Sequence, residues 1–138
     1  SLDQDEKDQR ENKMNLIKEI VLVFIGGGIG CSIRFIISKI NPVNSNDFPW
    51  GTFLANLLGC FLLGIFMSWA IKNFRSDWVI FLTVGICGGL TTFSTFSHES
   101  FFMLKNENWI MFFTYAISSF VIGLLMIRLG YGLLNQFN

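Results

Sequence analysis

Three stretches of this chain, residues 51–71, 78–97 and 109–127, contain no charged side chain. Each is about 20 residues long, the length at which a helix crosses a hydrocarbon core of roughly 30 Å. A fourth apolar run, residues 20–33, is interrupted by Arg34 and resumes at Phe35. Lipid offers the backbone no hydrogen bonds, so such segments must pair their own N–H and C=O groups. The pattern predicts an all-α integral membrane protein with four transmembrane helices in a single domain.

Composition supports this and excludes much else. Charged residues are 14% of the 138, against roughly 25% in soluble domains. One His and no Cys-x-x-Cys leave no metal-ligand spacing. Cys31, Cys60 and Cys87 all fall in apolar runs and read as small buried hydrophobes. No phosphate loop, nucleotide fingerprint or basic nucleic-acid patch is present. Gly26-Gly27-Gly28-Ile29-Gly30 lies in a membrane run, where small residues four apart let helix backbones approach. Residues 1–13 are almost entirely polar, and are expected to form a disordered tail or cloning remnant. No secretory signal is evident, Met14 is a candidate natural start, and residues 14–138 are expected to form the four-helix transmembrane domain.

The helices are expected at about residues 16–40, 50–71, 78–104 and 109–134, with a polar loop holding both prolines after the first. Trp50, Trp69, Trp78 and Trp109 lie near helix ends, as interfacial anchors do. Short links make the helices alternate in direction, which puts both termini on one side. Lys13, Lys18, Lys72 and Arg75 stand on that side and Lys39 and Lys105 on the other, with Arg34 ambiguous. The near-balance permits insertion in both orientations, and is also what small numbers give by chance. Four helices so rich in Phe leave little room for a pore within one subunit, which points to a dimer or higher oligomer.

The third helix carries the densest chemistry. Its Gly88-Gly89 pair gives up about 1 kcal/mol of helix propensity per glycine. Thr91, Thr92, Ser94 and Thr95 follow, with Phe93 and Phe96 three apart and then Glu99. A helix broken near residues 88–92 at membrane depth is tolerated where the freed backbone lines a cavity or is buried in protein. Aromatic rings carry a positive edge, and edge-on rings offer an anion a dry surface that rejects cations. Thr92, Thr95, Phe96 and Glu99 share one helical stripe. Glu99 and His98 could equally mark the helix end. Asn56 in the second helix is either interhelical glue or a donor to a small anion. Arg34 either snorkels to the interface or places a fixed positive charge at the mouth of an anion path. Tyr115 and Ser119, four apart, share a face of the fourth helix.

Taken together, the run from Gly26 to Phe35, Gly51-Thr52 with Asn56 and Gly59, and Gly85-x-x-Gly88-Gly89-x-Thr91-Thr92-Phe93-Ser94-Thr95-Phe96 resemble the Fluc family of fluoride channels. The resemblance covers nearly all of residues 16–134. It implies a dual-topology, antiparallel homodimer with two narrow pores lined by both subunits. It also implies a structural Na⁺ at the dimer interface, held by backbone carbonyls of Gly88 and Thr91. By position in the motifs, the fluoride pore would be lined by Asn56, Phe93, Ser94, Thr95, Phe96, Glu99, Tyr115 and Ser119, with Arg34 at the vestibule. The implied activity is passive, selective export of fluoride across a plasma (inner) membrane, with no enzymatic step.

Two other classes fit the architecture less well. A small dual-topology drug/proton antiporter would place a carboxylate in the first helix, where this chain has Arg34. A non-transporting assembly subunit would explain the small-residue packing but not the hydroxyl stripe.

Overall fold

The computed structural model describes residues 2–40, 47–72 and 77–136. These form helices α1 (Leu2–Ser38), α2 (Trp50–Lys72) and α3 (Asp77–Val79), a π-helical segment (Ile80–Cys87), then α4 (Gly88–Leu90), α5 (Phe93–Lys105) and α6 (Trp109–Asn135). There is no strand among the described residues. Four spans are long and apolar enough to cross a membrane: Leu2–Ser38, Trp50–Lys72, Asp77–Lys105 and Trp109–Asn135. The chain is a multi-pass membrane protein. Most of the first loop (41–46) and the link 73–76 lie outside the described residues.

Burial is arranged for lipid. Phe24, Phe35, Ile110, Phe113, Phe120 and Leu124 face outward, whereas α2 buries chiefly Gly51, Thr52, Ala55, Gly59, Gly64, Ser68 and Ala70. Where lipid tails are as apolar as leucine, helices associate through close contact between small residues. Along the α2–α6 interface the contact is reciprocal. A methyl on Gly64 would strike the Ile127 carbonyl, and one on Gly130 would strike that of Phe61. On the other side α1 lies against the π-helical segment and α4. A Cβ on Gly26 would stand 2.6 Å from the Phe81 carbonyl oxygen, whereas Gly27 and Gly28 would meet nothing within 4 Å. The glycine-rich run thus packs through its i, i+4 pair, Gly26 and Gly30.

One expectation changes at this level. The first helix starts at Leu2 rather than near Leu16, so residues 2–13 are helical where the composition suggested disorder. Asp3 and Asp5 complement the helix N-terminus, Glu6 and Arg10 pair at i, i+4, and the segment holds no Gly or Pro. All of these side chains are exposed. At the base of this extension Lys18 pairs with Asp77 at 2.5 Å and ties α1 to the start of the third span.

The third span departs from α-helix in two places. Residues 80–87 take the wider π-helical turn, and Thr91 and Thr92 are extended (φ −86°, ψ 152° and φ −147°, ψ 122°). Gly88 itself is helical, with φ −62° and ψ −39°. The helical path therefore ends at Leu90, one residue after the glycine pair. Gly89 is there for proximity: a Cβ would stand 2.5 Å from the Gly27 carbonyl oxygen and 3.0 Å from the Cys31 nitrogen.

Candidate functional site

Four helices converge on Thr91 and Thr92, and side chains do most of the joining. An extended pair inside a span frees backbone groups that lipid cannot satisfy. Asn56, early in α2, answers for one whole residue. Its Oδ1 accepts from the Thr92 N–H at 2.7 Å, and its Nδ2 donates to the Thr92 carbonyl at 3.2 Å. The second Nδ2 hydrogen has no partner among the described residues. From α1, Arg34 Nε donates to the Gly89 carbonyl at 3.0 Å, and Nη2 lies 3.6 Å from Cys31 Sγ. Thr91 turns back, its N–H and hydroxyl both donating to the Cys87 carbonyl at 3.0 Å.

Thr92 then starts α5. Its hydroxyl oxygen accepts from the Thr95 N–H at 3.2 Å, capping the new helix, and it donates to Thr95 Oγ1 at 3.1 Å. Ser94 Oγ is 3.3 Å from the same hydroxyl. Two β-branched residues, one of them a good cap, end one helix and begin the next.

Beside this lies a groove of about 450 Å³ whose lining includes Asn56, Thr91, Thr92, Phe93, Phe96 and Ser119. The Ser119 hydroxyl is buried and has no hydrogen-bond partner among the described residues. Phe93 is 79% exposed on the outer side, with its ring 6.0 Å from that of Phe96. Phe96 stands 4.9 Å from the fully buried ring of Tyr115.

Beyond Tyr115 is a second cluster. Glu99 Oε1 accepts from the Thr52 hydroxyl at 2.6 Å, and Oε2 accepts from the Tyr115 hydroxyl at 2.7 Å. The carboxylate of α5 is thereby held by one hydroxyl from α2 and one from α6. Sequence reading gave Thr52 no role. Its i, i+4 spacing from Asn56 on one face of α2 was the available signal.

The candidates therefore separate. Asn56, Phe93, Phe96, Ser119, Gly88 and Thr91 border one groove. Glu99 and Tyr115 form the adjoining cluster, while Thr95 bonds to the Thr92 cap and Ser94 is exposed beside it. Arg34 reaches the back of the interruption through Gly89. His98 is exposed, with its ring 4.8 Å from Phe102.

Among the described residues no group of His, Cys, Asp and Glu could hold a metal ion. Backbone oxygens are the other donors available. The Thr91 carbonyl accepts no hydrogen bond among the described residues, and the Thr92 N–H that a regular helix would direct at the Gly88 carbonyl goes to Asn56 Oδ1 instead. Uncharged oxygen donors suit a hard cation, so these residues fit the Na⁺ that the resemblance implies.

Residues 21–131 match the family described as CrcB-like protein, Camphor Resistance (CrcB). A protein of Phocaeicola vulgatus named fluoride-specific ion channel FluC is 44% identical over 116 residues, covering 83% of this chain and 96% of its own. One of the same name from Pyrococcus abyssi is 41% identical over 120 residues, covering 86% and 96%. Another, from Pyrococcus horikoshii, is 47% identical over 98 residues, covering 69% and 79%.

Proposed function

Because this chain belongs to the CrcB-like family, we propose that it is a fluoride channel and exports fluoride passively from the cytoplasm. Its relatives are named ion channels, and it is not an enzyme. The observation that carries the reading is the groove at Thr91 and Thr92, whose lining brings together a buried hydroxyl without a partner among the described residues, the Asn56 amide and two phenyl rings.

Fluoride is small and strongly hydrated, so a selective path must replace its water with donors fixed in place. Ser119 Oγ–H and the second Nδ2 hydrogen of Asn56 are such donors. The edges of Phe93 and Phe96 add a weakly positive, dry surface. Farther along, the Thr52 and Tyr115 hydrogens satisfy Glu99 and are the ones an arriving anion would compete for.

The groove is open along one side of the subunit, which suits a pore closed by a second copy. We take that copy to be antiparallel, giving two pores per homodimer, with Na⁺ at the interface on the Gly88 and Thr91 carbonyls. When bound, such an ion would supply positive field beside the anion path. The plasma (inner) membrane is the expected location. Basic residues bear on the orientation. Counting Lys7, Arg10 and Arg128 with Lys13, Lys18, Lys72 and Arg75, the terminal side holds seven of the ten. The positive-inside rule then favours cytoplasmic termini, so an antiparallel homodimer requires some copies to insert against the bias.

Expression in a fluoride-sensitive bacterial strain tests the reading. The chain should restore growth in fluoride, and Phe96→Ile at equal membrane abundance should not. Failure of the unchanged chain to protect, when present and folded in the membrane, would contradict it.

A further inference from the structure

Arg34 makes a connection that a charge at a channel mouth does not need. In an unbroken helix the Gly89 carbonyl would accept from the N–H of residue 93. The extended Thr91 and Thr92 carry that N–H away, leaving Gly89 O at the carboxyl end of a half-helix at membrane depth. Arg34 Nε takes its place at 3.0 Å, from a residue 55 positions distant in sequence. The backbone there has little freedom, since Gly89 presses on Gly27 and Cys31 of α1. Asn56 holds Thr92 from α2. Gly89 lies between Gly88, whose usual helical donor Thr92 N–H is taken by Asn56, and Thr91, whose carbonyl accepts no hydrogen bond among the described residues.

We propose that Arg34 is a positioning residue: by anchoring the Gly89 carbonyl it fixes the directions of the Gly88 and Thr91 carbonyls and so sets the affinity of the cation site. The inference rests on the sodium reading above. It makes the hydrogen bond, and not the charge, the operative property of Arg34. Charge alone acts in the opposite sense, because a guanidinium beside a cation site repels the cation. Removing the side chain therefore distinguishes the two by the direction of the effect.

The side-chain lengths provide the test. Glutamine carries its amide nitrogen at the same position along the side chain as arginine Nε, so Arg34→Gln keeps the donor and loses the charge. Arg34→Met has similar length and loses both. For each purified protein the thermal unfolding midpoint is followed as Na⁺ replaces N-methylglucamine at constant ionic strength, with fluoride efflux measured in parallel.

The wild-type midpoint should rise with Na⁺. Arg34→Met should need about ten-fold more Na⁺ for half of that rise, the equivalent of one lost hydrogen bond, while Arg34→Gln stays within about two-fold of wild type. Coincident shifts in the two variants, or a half-point in Arg34→Met that is unchanged or lower, would overturn the proposal. If Arg34→Met does not fold, Arg34→Gln decides alone, and a ten-fold shift in it counts against the hydrogen bond. A wild-type midpoint indifferent to Na⁺ removes the sodium reading and this inference together. A wild type that responds while the two variants coincide removes this inference only.

Discussion

The α2–α6 interface and the third span are held together in opposite ways. Between α2 and α6 the backbones touch through Gly64 and Gly130, and a single side-chain bond, Ser68 Oγ donating to Asn135 Oδ1 at 3.2 Å, joins the two helices directly among the described residues. At Thr91 and Thr92 side chains from α1 and α2 complete the helical ladder. The first region depends on shape and tolerates little added volume. The second depends on a few directional bonds, and the polar groups needed for an anion gather there. A membrane protein frees backbone groups at depth only where it has given up regular helix, and the side-chain donors of α2 and α6 gather beside that place, so the less regular region is the one suited to conduction.

This contrast can be broken from either side. The largest expected effect is on the shape-dependent side. Gly130→Leu drives a side chain into the Phe61 carbonyl and should destabilise by about 3 kcal/mol or more, read as loss of the folded peak in size-exclusion chromatography. A well-folded Gly130→Leu protein would show that this contact is looser than the structure has it.

Asn56→Leu comes next. It strips both partners from Thr92 and the spare donor from the groove, so fluoride efflux should fall about 100-fold, the rate equivalent of roughly 2.7 kcal/mol. Asn56→Asp should also suppress entry, because it adds negative charge and removes the donor. Normal efflux from both would reduce Asn56 to packing.

The two phenylalanines sharpen the comparison. Phe93 is largely exposed in the subunit, so Phe93→Ile should change its stability by no more than about 0.5 kcal/mol while reducing efflux. Phe96→Ile also loses a ring contact with Tyr115 and should reduce both efflux and the unfolding temperature. Unaltered flux in both variants would take the aromatic pair out of the path. The smallest effect belongs to the cap. Thr92→Ala should cost about 1 kcal/mol through loss of the bond to Thr95 N–H, and Thr92→Ser should recover most of it, by thermal unfolding.

The four spans were legible in the sequence because charge-free length maps directly onto membrane thickness. Of the residues the sequence singled out, Asn56, Phe93, Phe96 and Ser119 line one groove. The exact place of the interruption was not legible. Propensity points at Gly88 and Gly89, but Gly89 serves closeness to α1, Gly88 is helical, and the extended pair falls at β-branched Thr91 and Thr92 beyond them. The bond from Arg34 to Gly89 spans 55 residues, and no local pattern encodes it. The helical start at Leu2 was hidden by a polar composition that resembles a disordered tail.

The central claim is that the groove at Thr91 and Thr92 carries fluoride and excludes larger anions. Its most direct test is ion release from liposomes containing the purified protein, read with a fluoride electrode and, in parallel, a chloride electrode. The account predicts rapid fluoride release without chloride release. Folded, dimeric protein that releases neither ion, or releases both alike, would contradict it.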